Sequence, residues 1–290
     1  SAPTDYDRYA AARIMAEEQR HGWQMAYLLM TYFGQQGRRE AQKLLERNAQ
    51  DGDRLLGAFN IPMPHWLDFF CYTMFVDRDG KFQLGMLSTS AFKPLAASMG
   101  PMLKEESFHL GTGSNGLRRI IKAGVIPLDM LQRYINKWVS TAHDLFGVDA
   151  SSSAHWAYVW GIKGRWDERK KLDAGIEVNK EVLNEESRGH YHQEIVAEVK
   201  KLCGYLPEGA TDLYVPHENF NRAIGATKGQ NYNVDGTPFE GSDDDYAKYL
   251  SEILPTAQDE IDLKELFKQE WIANKPMSTR QIESGIGASA

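Results

Sequence analysis

The sequence predicts an all-α protein built around a four-helix bundle, and three observations support this. Apolar residues recur at helical spacing over residues 5 to 33, and five further stretches before residue 147 show helical character. Two of the predicted helices carry the same polar motif, Glu-x-x-His, inside an otherwise apolar stripe. The composition, with 42% hydrophobic and 25% charged residues, is that of a globular protein and excludes a disordered or fibrous class.

The helices follow from their start and stop signals. Thr4 and Asp7 form a capping pair at the start of the first helix, and Gly34 ends it. Asp79-Gly80 by itself indicates a turn, and Gly100-Pro101 predicts a kink. The later helices are predicted over residues 38–47, 66–88, 91–109, 117–122 and 128–146.

The chain is predicted to divide into two regions. Residues 1–146 form the helical bundle, and residues 147–290 form a helical and loop-rich C-terminal extension that packs on it. Within the extension, residues 178–202 are predicted to be helical. Residues 204–242 are rich in Gly, Pro, Asn and Asp and predict a long ordered loop.

Charge and cysteine content exclude several classes of protein. The net charge of -7 offers no basic surface for nucleic acid or for an anionic membrane. No apolar run has the 18 or so residues needed to span a bilayer. Cys71 and Cys203 form no CxxC motif, and the first residues lack the features of a signal peptide. We therefore expect a cytoplasmic protein.

Two helices place a carboxylate and an imidazole where apolar residues belong. A buried carboxylate is unstable unless a charge or a metal compensates it, so two such pairs need a common explanation. In Glu-x-x-His both side chains lie on one helical face and can reach one metal ion. The two stripes read Ile14, Glu18, His21, Met25, Leu28 and Leu95, Met99, Met102, Glu106, His109, Gly113.

A single Glu-x-x-His is more often a surface pair or a hydrogen-bonded core histidine than a metal site. Two copies on two helices favour a ferritin-like di-iron carboxylate bundle, in which each remaining helix adds one carboxylate. The third helix should place that carboxylate about 30 residues before Glu106. Asp77 stands 29 residues before it and is preferred, while Asp79, at 27, is the alternative.

The same rule requires a carboxylate about 30 residues before Glu18. Only 17 residues precede it, and they belong to its own helix. The bundle is therefore expected to be incomplete, with its first ligand helix absent from this sequence. We expect the intact polypeptide to exceed 32.9 kDa, or a separate segment to supply the missing carboxylate.

The quoted motifs resemble those of a known family. Residues 18–21, Asp77 and residues 106–109 resemble ligand segments of bacterial multicomponent di-iron oxygenases. The surrounding sequence and the stretch Gly-Ala-Thr-Lys-Gly-Gln-Asn-Tyr-Asn at 225–233 resemble the oxygenase components of benzoyl-CoA 2,3-epoxidases. The ligand motifs are shared with relatives that act on other substrates, so they specify di-iron chemistry better than substrate.

The resemblance implies a di-iron monooxygenase that inserts one atom of O2 into the aromatic ring of benzoyl-CoA. Two iron ions are implied as the cofactor, with Glu18 or Glu106 as a bridging ligand. The implied ligands are Glu18, His21, Asp77, Glu106 and His109.

Electrons are expected to come from NADPH through a separate reductase, because the sequence has no GxGxxG unit and no cluster-binding cysteines. A homodimer is a further expectation. The alternatives are an oxygenase for another aromatic acyl-CoA, such as phenylacetyl-CoA, and a non-catalytic ferritin-like iron-binding subunit.

An acyl-CoA substrate requires cationic groups for its phosphates. Two groups of basic residues are candidates, although ordinary solvated charges are the simpler interpretation of each. The candidates are Arg118, Arg119, Lys122, Lys163 and Arg165.

Overall fold

The computed structural model describes residues 2–46, 56–165, 173–175, 177, 179 and 181–273. These residues form helices joined by loops, and the β-structure among them is limited to one isolated bridge between Tyr232 and Pro238. The all-α prediction is confirmed. The helices are α1 (Asp5–Tyr32), α2 (Gly34–Glu46), α3 (Trp66–Cys71), α4 (Asp77–Leu87), α5 (Lys93–Ala123), α6 (Leu128–Leu145), α7 (Ser152–Val159), α8 (Leu183–Cys203), α9 (Asp243–Ile253) and α10 (Ala257–Leu266), with a short 3-10 helix at Gly57–Asn60.

The first helix begins and ends at its predicted signals. The Thr4 side chain accepts a hydrogen bond from the backbone N–H of Asp7 and caps the first turn. At the other end Gly34 has a φ of 56°, which glycine adopts without steric cost. Helix α2 starts at this glycine, four residues earlier than predicted, and residue 47, its predicted end, lies outside the described residues.

The predicted helix over residues 66–88 is confirmed to within one residue, and Asp79-Gly80 forms no turn. The chain stays helical from residue 66 to residue 87, with one π-helical segment at Tyr72–Val76 between α3 and α4. A Cβ added at Gly80 would lie 3.9 Å from a carboxylate oxygen of Glu106. The glycine therefore faces α5 as part of a close helix contact, and this packing outweighs its preference for turns.

The stretches predicted as helices at 91–109 and 117–122 are one helix, α5, which runs through Pro101. Small residues let this helix lie directly against α3 and the π-helical segment. A Cβ added at Gly116 would stand 2.2 Å from the Phe70 ring, and one added at Gly113 would stand 2.4 Å from the backbone nitrogen of Met74. Tertiary packing thus keeps a glycine-rich stretch helical.

Helix α5 contacts α1, α3, the π-helical segment, α4 and α8, so it connects the parts of the fold. The main hydrophobic core is formed by residues of α3 to α6, α8 and α10, with Trp138, Tyr134, Phe70 and Tyr191 among its fully buried side chains. Residues on both sides of position 146 share this core. The division of the chain at 146/147 stays a prediction.

The region after α6 contains helices and long loops. Helix α8 begins at Leu183, and residue 178, where the sequence predicts its start, lies outside the described residues. Residues 204–242 contain no helix, as predicted. None of the helices in the described ranges has both the length and the hydropathy needed to cross a bilayer.

Candidate metal centre

Three helices bring the predicted ligands together. Helix α1 carries Glu18 and His21, α5 carries Glu106 and His109, and Asp77 is the first residue of α4. Asp77 follows directly after the π-helical segment Tyr72–Val76. A π-helical turn shifts the phase of the side chains that follow it and often occurs at functional sites.

The side chain of His109 lies at the centre of the cluster and is fully buried. Its Nδ1 is 3.4 Å from Oε1 of Glu18, 3.6 Å from Oε2 of Glu106 and 3.8 Å from Oδ2 of Asp77. Ligand atoms of Glu18, Glu106 and His109 all lie within 4.8 Å of one another. Three carboxylates from three helices therefore surround one imidazole nitrogen.

Glu18 lies between the two imidazoles. Its Oε1 is 3.4 Å from Nδ1 of His109, and its Oε2 is 3.7 Å from Nδ1 of His21. The two imidazole ring centroids are 6.5 Å apart. One carboxylate thus offers each of its oxygens to a different histidine, which is the placement that a bridging ligand requires.

The expectation that Glu18 itself occupies the buried stripe of α1 is wrong. Its side chain is 51% exposed, whereas the neighbouring Glu17 is buried. The buried positions of α1 include Tyr6, Ala10, Ile14 and Glu17 at helical spacing, so the seam against α5 passes through Glu17. Glu18 lies one residue, or about 100°, round the helix from this seam and reaches the cluster from its solvent side.

The sequence reasoning missed two glutamates that hold the histidines from outside the cluster. Oε2 of Glu17 is 3.0 Å from Nε2 of His109, and Oε2 of Glu105 is 2.7 Å from Nε2 of His21. The contacts are crossed, since each glutamate precedes the ligand glutamate of one motif and binds the histidine of the other. In the sequence, the adjacent glutamates Glu17-Glu18 and Glu105-Glu106 are the feature that could have indicated these contacts.

Each outer glutamate is in turn held by an arginine. Arg13 donates from Nε to Glu17 at 2.8 Å and lies over the Phe108 ring, while Arg20 forms an ion pair with Glu105. Although partial burial opposes ionisation, hydrogen bonds from His21 and Arg20 hold the pKa of Glu105 below its ordinary value. An ionised carboxylate can only accept hydrogen bonds.

These contacts set the tautomer of both histidines. Because the Glu105 and Glu17 carboxylates accept hydrogen bonds, they favour a proton on Nε2 of each histidine, and a neutral ring then directs its Nδ1 lone pair into the cluster. This is the arrangement that a pair of metal-binding imidazoles needs.

Without a cation, the cluster disfavours the ionised form of its buried carboxyl groups. Burial, followed by the negative charge of Glu106, raises the pKa of Asp77 well above its usual range. Burial opposes protonation of His109, but the hydrogen bond and charge of Glu106 outweigh it and raise the pKa of His109 to about 9. The nearby Glu18 carboxylate raises the pKa of His21.

The donor set fits a metal. Oδ2 of Asp77, Oε2 of Glu106 and Nδ1 of His109 are buried, and no described residue forms a hydrogen bond with them. Buried polar atoms without partners are rare in native proteins. Two ligands at about 2.1 Å from one ion stand roughly 3.0–3.4 Å from each other. The separations of 3.4 to 3.8 Å are therefore close to those of atoms sharing an ion.

The alternative carboxylate, Asp79, has a different environment. It accepts a hydrogen bond from Gln83 at 3.1 Å, and burial raises its pKa to about 7, although Gln83 and Lys163 oppose the shift. The structure thus brings Asp77, rather than Asp79, to His109.

Three of the five cations predicted to bind substrate phosphates are engaged in internal pairs. Arg119 forms a buried ion pair with Asp7, Lys163 donates to Gln83 and Asn184, and Arg165 pairs with Glu186. Arg118 and Lys122 both lie near the exposed ring of Tyr205, and Arg118 also donates a hydrogen bond to Asn115.

A sequence profile described as "Phenylacetic acid catabolic protein" matches residues 3–218, which include all five predicted ligands. This chain belongs to the phenylacetic acid catabolic protein family. Membership in that family, together with the helical architecture, confirms the ferritin-like fold.

A curated relative adds a second comparison for this member of the phenylacetic acid catabolic protein family. The chain is 35% identical over 304 aligned residues to "Benzoyl-CoA oxygenase component B" of Aromatoleum evansii. The alignment covers 90% of this chain and 64% of that relative, so the chain spans less than two thirds of the relative's length. The resemblance to benzoyl-CoA oxygenase components found in the sequence is thereby confirmed.

Proposed function

We propose that this chain provides most of the ligands of a di-iron centre in the oxygenase component of an aromatic acyl-CoA oxygenase. The observation that carries the proposal is the position of Glu18, which offers one oxygen to Nδ1 of His109 and the other to Nδ1 of His21. One bridging carboxylate with one imidazole at each end matches the pattern of a two-metal bundle. Carboxylates and imidazoles suit iron in such sites.

Each ligand has a defined part in the proposed centre. His21 and His109 would each hold one iron, Glu18 would serve both ions from between the two imidazoles, and Glu106 and Asp77 would complete the set around His109. When bound, the two irons supply the redox chemistry by which dioxygen is activated. The protein holds the ligands in place from a helical scaffold and keeps the His109 side of the site buried.

We propose benzoyl-CoA as the substrate and the 2,3-epoxide as the product. One oxygen atom of O2 enters the ring and the other leaves as water, with two electrons from NADPH delivered by a separate reductase. The name of the relative, benzoyl-CoA oxygenase component B, supports a multicomponent system acting on an aromatic acyl-CoA. The description of the family supports phenylacetyl-CoA as the alternative substrate. A non-catalytic iron-binding subunit is the alternative from another functional class.

A further carboxylate is proposed to come from a segment outside the described residues. The bundle pattern takes one carboxylate from a fourth helix, and Glu17 and Glu105 are already paired with histidines. Glu18 is half exposed, and Met15, about one turn earlier on the same side of the helix, is an exposed apolar side chain. An additional helix on this face would cover both features.

The experiment that tests the proposal measures metal content and turnover in the same preparation. We expect two irons per chain, located by anomalous scattering at the iron edge beside His21 and His109. We also expect oxygen uptake that depends on benzoyl-CoA when NADPH and the reductase are present. Glu106→Ala should lose both properties, whereas Glu46→Gln, an exposed carboxylate on α2, should keep them. Iron without substrate-dependent oxygen uptake would favour the non-catalytic alternative.

A further inference from the structure

A cavity of about 290 Å³ lies between α5, the π-helical segment and α8, separate from the metal cluster. Its wall runs along α5 from Gly111 to Arg118 and is closed by Tyr205 just beyond α8. Gly111 follows His109 by two residues, and the cavity extends from there toward the C-terminal end of α5. The residues lining it are Met74, Gly111, Ser114, Asn115, Arg118, Glu198, Lys201, Leu202 and Tyr205.

Asn115 presents an unpartnered hydrogen-bond donor in this cavity. Its side chain is 8% exposed, and Arg118 donates from Nη2 to its Oδ1 at 2.7 Å. Because a guanidinium can only donate, this contact fixes the amide oxygen and leaves Nδ2 as the free end of the amide. Nδ2 is buried and has no acceptor among the described residues. A buried donor without a partner indicates a missing ligand atom or ion.

Two cations converge on the same end of the cavity. The Arg118 guanidinium carbon is 5.8 Å and the Lys122 Nζ is 5.0 Å from the centroid of the Tyr205 ring. Both fall within the range of a cation–π contact, so one ring holds both charges in place. No carboxylate in the described part of the chain forms an ion pair with either of them.

The remaining charges of the cavity cancel. Glu198 is the one acidic residue in its wall as described, and Lys201 pairs with it at 2.6 Å. The cavity therefore presents a guanidinium, a nearby ammonium and a buried amide donor, with an excess of positive charge. Phosphate oxygens are the acceptors that such a set of donors binds best.

We propose that Asn115, Arg118 and Lys122 form an anion site for the nucleotide phosphates of the acyl-CoA substrate. The identity of the ligand rests on the proposed function, whereas the position of the site rests on the cavity. With the phosphates at Arg118, the cavity offers the pantetheine arm a path along α5 as far as Gly111, two residues beyond His109. Arg118 is nine residues, or about 14 Å along the helix axis, beyond that ligand.

Equilibrium titration of the purified protein with coenzyme A tests the site directly. Arg118→Gln should weaken coenzyme A binding about tenfold, because a charge-assisted contact is lost. Arg118→Lys should restore part of the affinity, and Lys122→Gln should weaken binding less than Arg118→Gln, since Lys122 is exposed. Lys104→Gln removes an exposed lysine from the same helix and should leave affinity unchanged.

Three results would overturn the anion site. These are coenzyme A binding in Arg118→Gln equal to that of the wild type, inorganic phosphate binding as tightly as coenzyme A, and no binding of coenzyme A to the wild type. Thermal unfolding of each variant shows whether it is folded. Oxygen uptake separates this inference from the proposed function. If the wild type consumes oxygen but Arg118→Gln binds coenzyme A normally, only the anion site is refuted. If the wild type consumes no oxygen but Arg118→Gln still weakens coenzyme A binding, only the oxygenase assignment is refuted.

Discussion

Replacing Glu17 with glutamine should weaken iron binding although Glu17 is not a proposed ligand. The carboxylate is buried, lies 3.0 Å from Nε2 of His109 and is the acceptor that fixes the tautomer of that ring. A glutamine has the same shape but no charge, and it leaves Arg13 without its partner. The imidazole then loses both basicity and orientation at Nδ1.

The magnitude follows from the environment of the contact. Loss of such an outer partner typically costs about 10-fold to 100-fold in metal affinity, or about 1.4–2.7 kcal/mol. The loss of affinity in Glu17→Gln should lie at the upper end of this range. His109 is fully buried, and no described residue other than Glu17 accepts a hydrogen bond from its Nε2. Glu105 is more exposed and shares its charge with Arg20, so Glu105→Gln should lie at the lower end.

The assay is competition between the protein and a chelator of known affinity for ferrous iron, under anaerobic conditions. Glu46→Gln, at the exposed end of α2, serves as the matched control and should bind iron like the wild type. Urea unfolding of the metal-free proteins separates a loss of affinity from a loss of folding. If Glu17→Gln binds iron as tightly as Glu46→Gln, then the crossed contacts do not position the histidines, and the reasoning is refuted.

Three further predictions concern protons, packing and a buried ion pair. Binding of ferrous iron should release protons, and the affinity for iron should rise between pH 7 and pH 9. The metal needs a neutral His109, whereas the pKa of that group is about 9 in the metal-free protein. Calorimetry in buffers of different ionisation enthalpy measures the protons released. Gly116→Ala should destabilise the protein by about 1–3 kcal/mol in urea unfolding through overpacking, while Gly111→Ala, with open space around the new methyl, should not. Asp7→Asn should cost about 3–5 kcal/mol in the same assay, because it leaves the buried Arg119 charge uncompensated; an effect no larger than that of a surface substitution would contradict this.

The sequence was informative where a local pattern determines the structure. Helical periodicity and caps predicted α1 and α6 to within a few residues, because these signals act within one turn. The recurrence of Glu-x-x-His identified two helices whose ligands the structure brings within a few ångströms of one another. Spacing along the chain also selected Asp77 over Asp79, and the structure places Asp77 beside His109.

The errors have a common physical origin in contacts between distant residues. The turn signal of Asp79-Gly80 conflicted with the helical pattern around it, because the sequence does not show that Glu106 lies opposite Gly80 across a close helix contact. The burial of Glu17 in place of Glu18 depends on how α1 is rotated against α5, and a shift of one residue decides it. The crossed pairs with His109 and His21 join residues 84 to 92 positions apart, which periodicity along one helix cannot reveal.

The way α1 is attached suggests that metal binding and helix docking are coupled. Its buried apolar residues do not belong to the main hydrophobic core, which begins at Leu67. Besides this apolar seam, α1 is held to α5 by polar contacts, with Asp7 on Arg119 near one end and the crossed Glu–His pairs in the middle. A metal that binds ligands from both helices would add its binding energy to this interface. The same crossed glutamates that orient the imidazoles therefore also hold α1 in register, so positioning of the ligands and stability of the site depend on one set of contacts.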